Sequence, residues 1–207
     1  LDRPQQAFEM ARSILLEDPT DIGVRVWFEQ LAERLDLNDE LASTYVELAT
    51  KSSPPNDLQY HRWAAKLFEE KLGDLDRAAE QYRAILKLRD HDERALVGLE
   101  AIYRKTNQPA ELVDIMRQRI DTGIDVDQHT EYLRQIARLE LEDLGAPLDA
   151  AKTLLELYQL APDRLGVFDS LESLYEDHEQ WGDLVELYSC ERERLGTLEG
   201  GESWGNY

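Results

Sequence analysis

Residues Lys71 to Asp90 read KLGDLDRAAEQYRAILKLRD and residues Asp143 to Pro162 read DLGAPLDAAKTLLELYQLAP, so Leu72, Gly73, Ala78 and Ala79 return seventy-two residues later as Leu144, Gly145, Ala150 and Ala151. A chain that repeats itself at a fixed distance is built from repeated packing units, and the period decides the fold before any single element does. Working outward, Ala7, Leu41, Ala78, Leu112, Ala150 and Leu184 lie 34, 37, 34, 38 and 34 residues apart. The apolar spacing within each interval fits one pair of helices. The extra residues fall in TKSSPPND, Thr50 to Asp57, and in TGIDVDQ, Thr122 to Gln128. Loops absorb insertions that packed helices cannot. Because the longer connection follows every second unit, the true period is a pair of units.

In this frame the periodicity predicts helices at 4–17, 22–36, 39–51, 57–72, 75–89, 92–106, 109–122, 128–144, 147–160, 163–179 and 182–195. Gly73 and Gly145 follow Leu72 and Leu144, where a helix end favours a residue tolerant of left-handed geometry; a side chain there costs on the order of 1 kcal/mol. Asp18-Pro19 and Ala161-Pro162 end other helices. The small Ala7, Ala78 and Ala150 open second helices, where the two arms of a hairpin must approach closely. Tyr45, Tyr82 and Tyr188 come four residues after Leu41, Ala78 and Leu184, on the same helix face, and are expected to fill the seams between units.

These residues carry a family resemblance. The spacing of 34, the helix-turn-helix unit, Gly73 and Gly145, then Ala78 and Ala150, and Pro19 or Pro162 at the close resemble a tetratricopeptide repeat array from Pro4 to about Leu195. Units with Leu41, Leu112 and Leu184 in place of the small residue are divergent members. They share their own signature, LExIY from Leu99 matched by LExLY from Leu171, and the alternation resembles long bacterial repeat proteins of the myxobacterial kind. The resemblance implies an all-α fold, a right-handed α-α superhelix of about five and a half repeats, with the first helix of each pair on the concave face. The array is expected over residues 1–196, as a piece of a longer array whose first unit lacks its first helix, with a flexible glycine-rich tail at 197–207.

Composition narrows the function. Forty-four acidic against twenty-three basic residues give a net charge of −21, which repels nucleic-acid phosphates and anionic lipid. Cys190 is the only cysteine, so no internal disulfide forms, which fits a reducing, cytoplasmic setting. No signal peptide or long apolar run is present in the 207 residues. His61, His91, His129 and His178 are scattered over different units without zinc-ligand spacing. The loop from Asp121 has Asp125 and Asp127 at alternating positions, but it lacks the turn glycine and the closing glutamate of a calcium loop. No phosphate-cradling loop, nucleophile elbow or HExxH helix occurs. The expectation is no catalytic residue, no metal and no cofactor.

Glu29, Glu100 and Glu172 hold equivalent places on first helices, each after an inward apolar residue, and need partners there; Arg62 and Arg134 are the candidates. The concave face is expected to present Val26, Gln30 and Glu33, then Tyr60, Trp63, Leu67 and Lys71, then Arg94, Val97, Arg104 and Lys105, then Tyr132, Gln135, Leu139 and Glu142. Lys71, Arg94, Arg104 and Lys105 would form a basic island flanked by Tyr60, Trp63, Leu67 and Leu139, and aromatic and arginine side chains are the usual energetic centres of interfaces. Trp63 and Leu67 equally fit ordinary core between first helices. The expected function is a non-enzymatic scaffold binding a peptide, helix or protein with acidic and apolar residues, with no nucleic acid and no membrane insertion. Two alternatives stand beside it: a structural spacer or self-associating element, and the regulatory arm of an enzyme whose catalytic domain lies outside the chain.

Overall fold

The computed structural model describes residues 2–162 and 166–200. Among them the secondary structure is helical throughout, with no strand. The helices are α1 (Asp2–Glu17), α2 (Ile22–Leu35), α3 (Asn38–Lys51), α4 (Asn56–Lys66), α5 (Leu75–Leu88), α6 (Glu93–Thr106), α7 (Pro109–Asp121), α8 (Val126–Glu142), α9 (Pro147–Leu160), α10 (Val167–Asp177) and α11 (Trp181–Gly200). Each helix expected from the periodicity is present. Two details differ. The expected helix over 57–72 becomes a π turn at Leu67–Leu72, and α11 runs on to Gly200 through Thr197, Leu198 and Glu199, past the expected start of the tail. Residues 163–165 of the expected helix over 163–179, which runs here as α10 from Val167, and residues 201–207 of the expected tail lie outside the described residues.

Helix ends follow local chemistry. Asp21, Asp74, Asp92 and Asp125 each accept a backbone N–H of the first turn with a side-chain oxygen, at 2.9 to 3.2 Å, satisfying a donor that the helix itself cannot. First helices stop on a left-handed residue. Gly73 and Gly145 do so as expected, at φ 66° and 60°, and so do Asp36, Asn107 and Glu179 in the divergent units, at 57°, 53° and 55°.

The chain divides into two compact units, within Leu1–Gln108 and Pro109–Tyr207. In the first, Phe8 of α1 stacks on Phe28 of α2 with centroids 4.6 Å apart. Ala42, Ala49, Ala64 and Ala65 are buried where α3 and α4 run side by side. Ala78 and Ala79 are buried likewise, where α5 returns along α4. Leu58, Ile85 and Ala95 join α4, α5 and α6. In the second unit, Leu133, Ala151, Leu157, Tyr158, Leu171 and Leu187 form the core. The small-residue hairpins α4–α5 and α8–α9 pack along most of their length, while α2–α3 and α10–α11, which carry Leu41 and Leu184, meet at fewer positions. A larger side chain at the crossing holds the arms apart.

Two expectations are corrected. Arg62 pairs with Asp92 at 2.6 Å and Arg134 with Glu131 at 2.7 Å, rather than with the repeated glutamates. Those glutamates find partners closer at hand: Glu29 takes Arg25 and the Tyr45 hydroxyl, Glu100 takes Arg104, and Glu172 accepts the Tyr188 hydroxyl. A tyrosine sixteen residues on, at the facing turn of the next helix, reaches what a distant arginine does not. Of the three seam tyrosines, Tyr45 is buried and Tyr82 half-buried, whereas Tyr188 is 47% exposed.

Candidate functional site

In the first unit a groove of about 390 Å³ with an apolar floor opens between α2 and α4, closed below by the start of α3. Three features of the sequence build it. Glu29, Glu33 and Asp36 follow at helical spacing along one wall, while Phe28, one residue out of phase, turns into the core. Ala64 and Ala65 bring α4 close to its neighbours and leave Trp63 on the flank. The π turn then carries Leu67, Glu70 and Lys71 to the opposite wall. Phe68, buried under the Arg77 guanidinium at 4.5 Å, anchors that turn from within.

The floor is aromatic and aliphatic, made by Leu41, Tyr45, Trp63 and Leu67. Tyr45, Tyr60 and Trp63 form a triangle of rings with centroids 5.3 to 5.5 Å apart. Hydrogen bonds fix it on both sides: Tyr45 donates to Glu29, and Tyr60 donates to the Pro19 carbonyl. Burial, helped by the Glu29 carboxylate, pushes the Tyr45 phenol well above its ordinary range, so it remains a donor. Burial pushes Tyr60 up as well. Arg25 ion-pairs with Glu29 at 2.7 Å and lays its guanidinium 4.3 Å over Trp63. The indole is therefore held in place before any ligand arrives.

The structure brings together only part of the expected site. Trp63, Leu67, Lys71 and Glu33 line the groove, and Tyr60 supports it from below through the ring triangle. Arg94 and Val97 instead line a separate shallow hollow with Glu69 and Tyr82. Arg104 is paired with Glu100 at 2.9 Å, and Lys105 is exposed on the same helix. Tyr132, beneath the Arg119 guanidinium at 5.3 Å, and the half-buried Leu139 belong to the second unit. The basic island is thus not assembled at the groove. Lys71 lines the groove, whereas Arg94 faces the separate hollow and Arg104 is drawn along α6 to Glu100.

Sequence reasoning missed Asp36, Lys66 and Glu70 at the rim and assigned Tyr45 to a seam. The signal for Asp36 was available: it stands at the helix stop, where its counterparts are Gly73 and Gly145.

Five first-helix stops in left-handed geometry, at 36, 73, 107, 145 and 179, each followed by a returning helix, decide the architecture. The fold is tetratricopeptide-like. No family model matches the sequence, and no curated protein matches it. Among solved structures, this chain is similar to MamA, at 12% identity with a TM-score of 0.42 over 89% of this chain and 96% of that one. It is also similar to a tetratricopeptide repeat protein from Parabacteroides merdae, at 13% identity and 0.43 over 90% and 72% of the two chains. A complex of Naa15 and Naa10 bound to HypK-THB contains a chain 18% identical, with a TM-score of 0.49 over 93% of this chain and 29% of that one. At these identities the likeness concerns helix arrangement alone.

Among the described residues, no group of three or more His, Cys, Asp or Glu is placed to hold a metal ion. No described helix is long and apolar enough to cross a membrane.

Proposed function

We propose that the chain is a non-enzymatic protein-interaction scaffold, and that the groove between α2 and α4, on the expected concave face, holds a peptide or helix of a protein partner. The observation that carries this is the pre-set aromatic floor. Trp63 is fixed by Tyr45, Tyr60 and Arg25 yet lines an open groove. Rigid aromatic side chains in a recess give a partner apolar contact without losing side-chain freedom on binding. An extended or helical segment would bind at about micromolar strength, roughly −8 kcal/mol. Peptides selected from a phage-displayed library on the immobilised protein should lose at least about tenfold in affinity, about 1.4 kcal/mol, with Trp63→Gln. Circular dichroism should show unchanged helix content. Binding that ignores this substitution removes the groove from the account.

A second reading, self-association, is favoured by one specific observation. Trp181, Val185, Tyr188 and Leu195 stand exposed at helical spacing along α11, at 57%, 65%, 47% and 47%. At the matching place on α3, Tyr45 is covered by Tyr60 and Trp63 of α4. Light scattering over a concentration series separates the readings: mass that grows with concentration and returns to the monomer with Val185→Glu supports self-assembly.

A further inference from the structure

We infer that the groove between α2 and α4 takes a segment with a lysine or arginine beside an apolar residue, the cation held at Glu33 and Asp36 and the apolar side chain lying on Trp63 and Leu67. This rests on the groove being the docking place proposed above. The chemistry of the rim argues for it. Four carboxylates, Glu29, Glu33, Asp36 and Glu70, face two ammonium groups, Lys66 and Lys71. Glu29 is already engaged by Arg25 and Tyr45, and Lys66 and Glu70 pair with each other at 3.8 Å. The carboxylates that remain, Glu33 and Asp36, stand together on the α2 wall, with Lys71 on the opposite one. Glu33 has no side-chain hydrogen bond or ion pair among the described residues, and Asp36 accepts only the Asn38 amide at 3.2 Å there. The net charge of −21 adds a field that draws cations toward the surface.

The floor suits the same ligand. Arg25 already lies over Trp63, and it lines the hollow on the other side of the indole rather than the groove. A basic side chain entering the groove would run its aliphatic stem along Trp63 and Leu67 and bring its charged end to the α2 wall. The internal repeat shows that folding does not dictate these groups. About seventy-one residues on, Leu41 and Leu67 have leucine counterparts in Leu112 and Leu139, but the counterpart of Glu33 is Arg104 and that of Trp63 is Gln135. The repeat keeps the two leucines that packing needs and changes Glu33, which would hold the cation, and Trp63, on which the apolar side chain would lie. The acid-bearing partner expected from the sequence therefore gives way to a basic one, since Arg94, Arg104 and Lys105 lie outside the groove.

Fluorescence polarisation on the whole chain tests this with short labelled peptides in one leucine–tyrosine–alanine frame, the central pair being Lys-Arg, Gln-Gln or Glu-Glu. The Lys-Arg peptide should bind at least about tenfold tighter than the other two at low salt, with the preference shrinking at high salt as screening shortens the reach of the carboxylates. Glu33→Arg with Asp36→Asn should remove that preference; arginine stands at the repeat counterpart and asparagine tolerates the left-handed stop, so both fit the fold. If the Glu-Glu peptide binds as well as Lys-Arg while Trp63→Gln still abolishes binding, the cation preference is overturned and the groove stands. If no peptide binds, or binding is indifferent to Trp63→Gln, the groove reading and this inference fall together.

Discussion

At the scale of single residues, the repeat is written most sharply in the helix stops. Gly73 and Gly145 occupy left-handed positions without strain, whereas Glu179 holds the same geometry with a side chain. Left-handed backbone costs an ordinary L-residue about 1 kcal/mol or more, so Glu179→Gly should raise stability by about 1 kcal/mol and Gly145→Ala should lower it by a similar amount. Urea denaturation reads both as shifts of midpoint at constant slope. Gly98 has a different reason. A Cβ there would lie 2.6 Å from the Tyr82 ring, so Gly98→Ala forces α5 and α6 apart and should cost about 1–3 kcal/mol. Acid sensitivity also has an address in Glu191, which hydrogen bonds from Arg194 and then Tyr158 hold down to about 2. Since the folded carboxyl titrates below its unfolded value, its contribution is complete above that ordinary value and is lost as pH falls toward about 2. Glu191→Gln should flatten this part of the acid-unfolding curve, and an unchanged curve would show that the pair contributes nothing.

Among elements, hairpin closure depends on what stands at the crossing. Ala78 and Ala150 are fully buried in the closely packed pairs, and Leu41 and Leu184 sit in the looser ones. Ala150→Leu should therefore overpack α8 against α9 and lower stability by about 1–3 kcal/mol, measured by thermal melting. That much was legible in the sequence, because alanine, glycine and the 34-residue spacing act within one or two turns of helix. The all-α repeat fold and each helix followed from it. The π turn at Leu67–Leu72 was not legible, since its residues read as an ordinary helix end and its geometry is set by how Phe68 and Arg77 pack. The groove was legible only through Trp63, Leu67, Lys71 and Glu33. Its charge was misread because salt bridges along one helix, such as Arg104 with Glu100, redirect cations that a face projection treats as available.

For the molecule as a whole, charge is the dominant physical fact. An excess of 21 negative charges opposes compactness through self-repulsion, and added salt should raise the melting temperature by screening it. A melting temperature that falls with salt would mean that attractive pairs outweigh the repulsion. The same excess directs attention to a partner with basic groups and away from nucleic acid. The central claim is that recognition occurs in the groove floored by Trp63. Hydrogen exchange with and without a bound selected peptide tests it most directly. Added protection should fall on Ile22–Leu35 and on the segment from Trp63 to Leu72, with little change along α11. Protection confined to α11, or absent from both walls of the groove, would contradict the account.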